Sequence, residues 1–493
     1  MSVEWPDRWE RITVEEAGEV ALGRQRSPQH HTGRNMRPYL RVANVFEDRI
    51  DLSDVMEMNF TPEEATRFAL QPKDILLNEG QSKHLVGRPA MWRGELPGAC
   101  FTNSLVRFRA RSGVDPDFAL ALFLHYLRDG TFQNIATITT NIAHLGAGKF
   151  AKLWFPRPPL DEQRRIVAKL DALRARSRRA RDALDAVPAL LDRLRQSILA
   201  AAFRGDLTAE WREQHPDVEP ASELLKRIRI ERRQRWEQAE LAKMIAKGKP
   251  PKDDRWKSKY VEPEPPDESD LPEIPAGWTW ATFESVGTVD LGRQRAPQYA
   301  QGVGTRPYLR VANIKDDRID FADVNEMDFD DAEFAHYSLR SGDILLSEGQ
   351  SPHLVGQSAI YRGEVEGMCF QKTLHRFRRY EASPSAEYFQ LLFRHYVRAG
   401  VFRAVASLTT NIAHLTLVRL KPLAVPLPPL PEAEAITKRT SAMLARVEAL
   451  ATMRSGAASA LRDLDGALLA SAFRGELLDR QSDRPPVVYQ EAL

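Results

Sequence analysis

Cysteine is almost missing from this sequence. Only Cys100 and Cys369 occur in 493 residues. That excludes a disulfide-stapled scaffold and a zinc site built from several thiolates. Long hydrophobic runs are missing too: nothing approaches the roughly 18 uncharged apolar residues of a membrane span. The opening Met1-Ser-Val-Glu-Trp-Pro-Asp7 has neither the basic nor the apolar region of a secretory signal. These absences predict a soluble, cytoplasmic chain. Charge of one sign is also lacking, since Lys+Arg 70 against Asp+Glu 68 leaves +2. A uniformly basic coat is thereby disfavoured, while local basic surfaces remain open. What is present suits folded cores: 43% hydrophobic and 28% charged residues, over a length that predicts three or four structural units.

The chain is written twice. Leu22-Gly-Arg-Gln-Arg26 recurs as Leu291-Gly-Arg-Gln-Arg295, and Arg37–Asn44 recurs unchanged as Arg306–Asn313. Asp74–Gly87 recurs at Asp343–Gly356 with two changes; all three blocks are offset by 269. Thr139-Thr-Asn-Ile-Ala-His-Leu145 recurs as Thr409–Leu415 and Ala202-Phe-Arg-Gly205 as Ala472–Gly475, both offset by 270. Such a period is too long for a solenoid and marks duplication of a whole unit. The two cysteines are one position seen twice, and a disulfide between them is not expected in a cytosolic protein.

Each copy has two parts. Residues 1–158 and 271–428 mix short β-like runs, such as Tyr39–Val42 and Asp74–Leu77, with Gly, Pro, Asn and Asp punctuation. Phe118–Leu127 is the clearest helix among them, and the expected class is α+β. Residues 159–206 and 429–480 then become periodic. Ile166, Leu170, Leu173, Leu184, Leu191, Leu194 and Ile198 fall on a 4,3 spacing, as do Ile436, Met443, Val447, Leu450, Leu461, Leu464 and Leu468. A period of 3.5 sustained over several heptads predicts a coiled-coil seam. Pro188 should kink or break the first helix. The first helix leads from one globule to the next and the second leads away. Pairing of the two would therefore be antiparallel, with two similar globules separated by the helices in a pseudo-two-fold duplication. A parallel arrangement would need a long return, which 207–270 could supply. That stretch holds a basic helix over Glu223–Glu240, with Lys226, Arg227, Arg229, Arg232, Arg233 and Arg235, and an acidic Pro-rich linker at 262–268. The basic helix reads either as a solvated face or as a phosphate- or partner-contacting arm. Residues 481–493 form a C-terminal tail.

Catalytic patterns are not found. Gly146-Ala-Gly-Lys149 resembles the end of a phosphate loop, but Ala143 stands where a glycine is required and Phe150 where Ser or Thr is. There is no His-Glu-x-x-His, no Gly-x-Ser-x-Gly and no dinucleotide fingerprint. His84, His353, His144 and His414 occur once per copy without a metal-ligand partner at short spacing, so hydrogen-bonding roles are expected and no metal site is.

Two like modules on one chain suit a target with two like sites, as DNA half-sites are. Arg24, Gln25 and Arg26, with Arg293, Gln294 and Arg295, offer the guanidinium and amide groups that read guanine and adenine edges. Gln81, Ser82 and Lys83 form a second polar loop, repeated as Gln350 and Ser351. Thr139, Thr140 and Asn141, repeated as Thr409, Thr410 and Asn411, precede an expected helix start suited to phosphate. For each loop, ordinary turn chemistry is the competing reading.

The order globule, Pro158-Pro-Leu-Asp-Glu-Gln-Arg-Arg-Ile-Val167, long helix, Ala202-Phe-Arg-Gly-Asp-Leu-Thr208, then a second globule opening Leu271-Pro-Glu-Ile-Pro-Ala-Gly-Trp-Thr-Trp280 resembles the specificity subunit of type I restriction-modification systems, along essentially the whole chain. The resemblance implies two target recognition domains reading a bipartite, gapped DNA sequence. It implies two helical regions that space them and dock two methyltransferase subunits, with restriction/translocase subunits joining the same core. It implies a non-catalytic chain without cofactors of its own, S-adenosylmethionine, ATP and magnesium residing on the partners. Leu430-Pro-Glu-Ala433 departs from Leu160-Asp-Glu-Gln163, which puts a shared role for Gln163 in doubt. Because the two globules are so alike, a nearly palindromic target is expected. Ser27/Ala296, His30/Tyr299, Lys83/Pro352, Arg88/Gln357 and Asn103/Lys372 are the differences that could alter it. The competing class is a protein-interaction scaffold without sequence reading. A self-contained restriction-methylation enzyme would need a cofactor site.

Overall fold

A computed structural model describes residues 5–139, 142–299, 301–409 and 411–478. It divides into two compact units, one of Met1–Ala186 with Met453–Leu493 and one of Val187–Thr452. Each unit is an α+β globule plus portions of both long helices.

In the first unit, the strands β1 (Gly18–Leu22), β2 (Ile75–Asn78), β4 (Pro89–Met91) and β5 (Leu105–Ala110) form an antiparallel sheet of order β1-β5-β2-β4. The short strand β3 (Gly80–Gln81) lies between β2 and β4 in sequence and joins another sheet. Ile75, Leu76 and Leu77 are fully buried because both faces of β2 are covered. Helix α1 (Pro116–Arg128) covers one face. Asp115 caps it by accepting from the amides of Asp117 and Phe118, and Pro116 supplies a first-turn φ at no hydrogen-bond cost. Every residue from Phe118 to Leu127 is buried, so the apolar run is a core helix rather than an amphipathic one. Two further strands, β6 (Thr137–Thr139) and β7 (Ile142–His144), pair with each other, and β7 pairs with β3. Helix α2 (Ala147–Ala151) follows.

The first long helix, α3, runs from Leu160 to Phe203, and α4 spans Ala221–Ala246. The second unit repeats the pattern: β8 (Gly287–Leu291), β9 (Ile344–Ser347), β10 (Gly349–Gln350), β11 (Ser358–Ile360), β12 (Leu374–Arg379), α5 (Ala386–Ala399), β13 (Ser407–Thr409) and β14 (Ile412–His414). Its four-stranded sheet has the order β8-β12-β9-β11. The second long helix, α6, runs from Leu430 to Phe473.

Within each unit the long helices run antiparallel. In the first, Arg181 Nη2 donates to the Leu461 carbonyl and to Asp465, each at 2.7 Å, while Arg454 Nε donates to the Leu184 carbonyl at 3.0 Å. Rising numbers on α3 thus meet falling numbers on α6. In the second, Arg195 pairs with Glu448 at 2.9 Å and Arg439 Nη1 donates to the Leu207 carbonyl at 2.6 Å.

The seam differs in phase from the strict 3.5 repeat. Ile166, Leu170, Leu191, Ile198, Ile436 and Val447 are buried, and Leu173, Leu184, Met443, Leu461 and Leu468 half-buried. Leu194, Leu450 and Leu464 are instead exposed (42%, 49% and 40%). The residue after each turns inward in its place: Arg195 to Glu448, Ala451 against the core of its unit, and Asp465 to Arg181. A helix of 3.6 residues per turn drifts about 20° per heptad against a 3.5 pattern, and packing follows the helix.

Pro188 does not end α3. A proline inside a helix leaves the carbonyl four residues back without its N–H partner, here that of Leu184. Arg454 donates to that same oxygen. The basic helix α4 buries Ala221, Leu224, Leu225 and Ile228 in the core of its unit. Its cations meet partners close by: Lys226 meets Glu223, Arg227 Glu219, Arg229 Glu262, Arg233 Glu237 and Arg235 Glu231. Arg232 donates to the Tyr260 hydroxyl at 2.6 Å. These pairs lie on the exposed side of the helix. Cys100 and Cys369 are free and buried, and burial pushes their thiols up to about 11 and about 12. Among the described residues no helix is long and apolar enough to cross a membrane.

Two stability tests follow from the helices. Replacing Pro188 with alanine restores the donor to the Leu184 carbonyl and should raise the unfolding temperature, whereas Arg454→Met should lower it. Calorimetry reads both, and a lower melting point for Pro188→Ala would contradict the account. His395 stacks on Phe203 at 5.4 Å, and burial, aided by the Arg204 charge, pushes it down to about 4 from its ordinary 6.5. The unfolded histidine takes up a proton below about 6.5 and the folded one does not. The second unit should therefore be most stable above that pH and lose stability as pH falls towards 4. Urea unfolding at pH 7 and pH 5 should show the loss, and His395→Gln should reduce it.

Candidate nucleic-acid interface

The antiparallel order of β1, β5 and β2 brings one end of each strand to the same edge. Leu22 at the end of β1 lies beside Val106, and Asn78 at the end of β2 lies beside Leu105 at the start of β5. The loops leaving β1 and β2 and the turn entering β5 therefore share one end of the sheet. Backbone bonds tie them together. The Asn103 amide donates to the Arg24 carbonyl at 2.9 Å, and the Glu79 amide to the Ser104 carbonyl at 2.9 Å. Lys372 to Arg293 and Glu348 to Thr373, each 2.9 Å, repeat this in the second unit. The close approach requires glycine after the strand: a Cβ at Gly23 would sit 2.2 Å from the Thr102 carbonyl oxygen, and one at Gly292 2.3 Å from that of Gln371.

A second sheet, of order β6-β7-β3, attaches to the same place. The Leu145 amide donates to the Glu79 carbonyl at 2.7 Å, and His144 Nδ1 pairs with Glu79 Oε2 at 3.0 Å. In the second unit Leu415 donates to Glu348 at 2.8 Å and His414 pairs with Glu348 at 3.3 Å. So the polar loop after β3 and the hairpin of β6 and β7 grow from one root in each copy. His144 and His414 are the hydrogen-bonding residues expected. His84 and His353 are exposed in the loop after β3 and its counterpart.

The candidate residues divide. Arg24 and Arg293 do not stand free in a loop. Arg24 is buried, donates to the Asn59 carbonyl, pairs with Glu64 at 2.9 Å and lies over the Phe60 ring at 4.9 Å. Arg293 is buried, donates to the Asp328 carbonyl, pairs with Glu333 at 2.6 Å and lies 3.7 Å over Tyr299. Their guanidinium groups bind the loop to the rest of its globule. Gln25, Arg26, Gln294 and Arg295 are exposed at the same loop, Arg26 lying over Tyr39 at 5.7 Å. Ser82 and Lys83 are exposed, and Gln81, Gln350 and Ser351 half-buried. Each glutamine accepts from the next backbone amide, at 3.0 Å for Ser82 and 3.1 Å for Ser351.

Thr139 does not precede a helix. It ends a strand, with Thr139 opposite Ile142 across the hairpin and Thr409 opposite Ile412 in the second copy. Thr139, Thr409 and Asn411 are exposed. Thr140, Asn141 and Thr410 lie outside the described residues. Lys149, at the end of the phosphate-loop lookalike, sits in α2 and donates at 2.8 Å to the Ile135 carbonyl and to Thr137 Oγ1. Arg419 donates at 2.8 Å to the Val405 carbonyl at the same place in the second copy. Both cations brace the hairpin root.

Sequence reasoning missed the His144–Glu79 pair and the exposed apolar residues of the hairpin, Ile138, Ile142, Leu408 and Ile412. A signal for the pair existed: glutamate and histidine both recur, in separate repeated blocks. Gln163 is a structural residue of the first unit only. It accepts from the Asp115 amide at 2.8 Å and donates to the carbonyls of Gly113 and Pro158, whereas Ala433 is buried in apolar surroundings.

These features define a duplicated α+β chain in which each globule is completed by antiparallel long helices and carries one clustered loop surface. The chain is similar to curated specificity subunits of type I restriction enzymes. It is 23% identical over 467 residues to the EcoKI specificity subunit of Escherichia coli K12, covering 92% of this chain and 85% of the relative. It is 24% identical over 461 residues to the StySPI specificity subunit of Salmonella potsdam, covering 89% and 82%. No family model matches the chain. Its fold is that of the HsdS subunit from Thermoanaerobacter tengcongensis, at TM-score 0.57 and 18% identity over 96% of this chain and 99% of that one. A structure from work on complex assembly and conformational transition of the type I restriction-modification system gives 0.60 at the same identity and coverage.

The division of the arginines is testable. Arg24→Met should lower the unfolding temperature of its unit, because Glu64 and the Asn59 carbonyl lose their buried partner. Arg26→Met should leave the melt unchanged and weaken DNA binding by roughly 1–3 kcal/mol if it reads a base. Paired melting and fluorescence-anisotropy measurements separate the two, and equal effects from both variants would refute the division.

Proposed function

We propose that this chain is the DNA-recognition subunit of a type I restriction-modification complex. Each globule reads one part of a bipartite, gapped sequence in double-stranded DNA. The helical regions dock two methyltransferase subunits, and restriction/translocase subunits join them. The chain is not itself catalytic; S-adenosylmethionine, ATP and magnesium act on the partners. The reading rests on one conjunction. Similarity to specificity subunits runs along nearly the whole chain, and each copy exposes a Gln and an Arg (Gln25 and Arg26, Gln294 and Arg295) in the loop at one end of its four-stranded sheet, with an exposed Thr139 or Thr409 on the adjoining hairpin. Amide and guanidinium groups on a shared rigid edge are what base-edge recognition in the major groove requires. Exposed Lys83 supplies phosphate-directed charge in the first copy.

The two globules share their loop roots bond for bond, so like halves should be read on opposite strands: a nearly palindromic target around an unread gap. Lys83/Pro352, Arg88/Gln357 and Asn103/Lys372 are where the halves could differ by a base. Co-expression with its methyltransferase and single-molecule mapping of N6-methyladenine should return a gapped motif with matching inverted halves. An asymmetric gapped motif would keep the subunit and remove the symmetry argument. No motif, from a complex that assembles, would remove the DNA-reading function and leave a scaffold. Replacing the second globule by a copy of the first should give a fully symmetric, still active specificity.

A further inference from the structure

Polar residues account for only part of the clustered surface. The hairpin of β6 and β7 exposes large apolar side chains: Ile138 is 56% and Ile142 50% exposed, and Leu408 and Ile412 in the second copy 68% and 48%. Soluble proteins scatter single exposed apolar residues freely, but here the same two positions are exposed in both units. The root beneath them is well fixed. Ala143 and Leu145 are buried, His144 pairs with Glu79, and Lys149 braces Ile135 and Thr137. The exposure belongs to a braced ribbon.

The register shows how the ribbon is shaped. β3 pairs only as far as Gln81 opposite Ala143. Beyond that point the sheet is two strands wide. Ile138 lies opposite Ala143 and Thr139 opposite Ile142, so the two isoleucines stand on opposite faces. Leu408 opposite Ala413 and Thr409 opposite Ile412 repeat the arrangement. Whichever face such a ribbon turns towards a surface, it presents one large aliphatic group and, on one face, threonine hydroxyls beside it. A two-stranded ribbon fits the major groove of duplex DNA, where the one apolar group on a base edge is the thymine 5-methyl. The surroundings favour that occupant. Lys149 or Arg419 stands at the root, and the loop bearing Gln81, Ser82 and Lys83 leaves the neighbouring strand.

We propose that this hairpin is a major-groove reading element whose aliphatic side chains contact thymine 5-methyl groups, Ile138 or Ile142 in one half-site and Leu408 or Ile412 in the other. The proposal rests on the DNA-reading function and adds to it a chemical basis for one position of each half-site, independent of the arginine and glutamine contacts.

Deoxyuridine differs from thymidine only by that methyl. With the complete complex of this chain and its methyltransferase subunits, and its mapped target, each thymidine would be replaced singly by deoxyuridine and the dissociation constant measured. At one position per half-site the affinity should fall about fourfold, the worth of one buried methyl-sized group. In Ile138→Ala or in Ile142→Ala, one of the two, the first-half position should lose this sensitivity while the other positions keep their preferences. Unchanged affinity for every deoxyuridine substitution, with sequence preference intact, would overturn the hairpin proposal and leave the DNA-reading function standing. Loss of co-purification with the methyltransferase subunits in these variants would instead make the hairpin a protein-docking element. A complex with no sequence preference at all would overturn both.

Discussion

The architecture depends on an aromatic contact made at the end of each long helix. Phe473 stacks on His125 at 5.3 Å and meets Phe118 at 5.4 Å; Phe203 stacks on His395 at 5.4 Å and meets Tyr388 at 5.6 Å. In the first unit the globule's own helix leaves through Glu162, which accepts from Trp9 Nε1, while α6 ends on α1. In the second, Glu432 accepts from Trp278 Nε1 and α3 ends on α5. Neither globule completes its core from one continuous segment. The Ala-Phe-Arg-Gly repeat encodes this contact. Its glycine is left-handed, at φ 75° for Gly475 and 81° for Gly205, and so close to Pro6 or Pro275 that a Cβ would lie 2.4 Å from the ring. Helix end, aromatic plug and chain reversal are one local device.

The clustered loop surface inherits rigidity from that core. Strand ends, rather than free loops, set where its side chains emerge, and short backbone bonds hold the loops to one another. Arg24 and Arg293 illustrate the division of labour within a motif of three residues. One guanidinium is turned inward to hold the loop to a carboxylate and a carbonyl, and its neighbours face out. A residue that fixes the loop and residues that face solvent sit side by side in sequence.

Much of this was legible beforehand. The duplication, the α+β globules, the paired long helices and the apolar α1 helix all follow from repeats, punctuation and periodicity. Three things were not, for distinct reasons. The inward turn of Arg24 depends on Glu64 and Asn59, whose approach no local pattern encodes. The strand at Thr139 resembles a helix approach in sequence because three residues carry too little periodicity to separate the two. The seam's phase at Leu194, Leu450 and Leu464 departs from the strict heptad because the helix drifts slowly against a 3.5-residue pattern. There Arg195, Ala451 and Asp465 take the inward positions.

Leu184 and Arg454 are one position of the ancestral unit, 270 residues apart, and they meet each other. One helix carries a proline that strips a carbonyl of its donor; the other carries the arginine that restores it. Two copies of the first half would carry the proline without the arginine, and two copies of the second would carry the arginine without the proline. Only the first of these leaves a carbonyl without a donor, so a helix that keeps the proline needs the arginine opposite it, while the arginine makes no such demand for the proline.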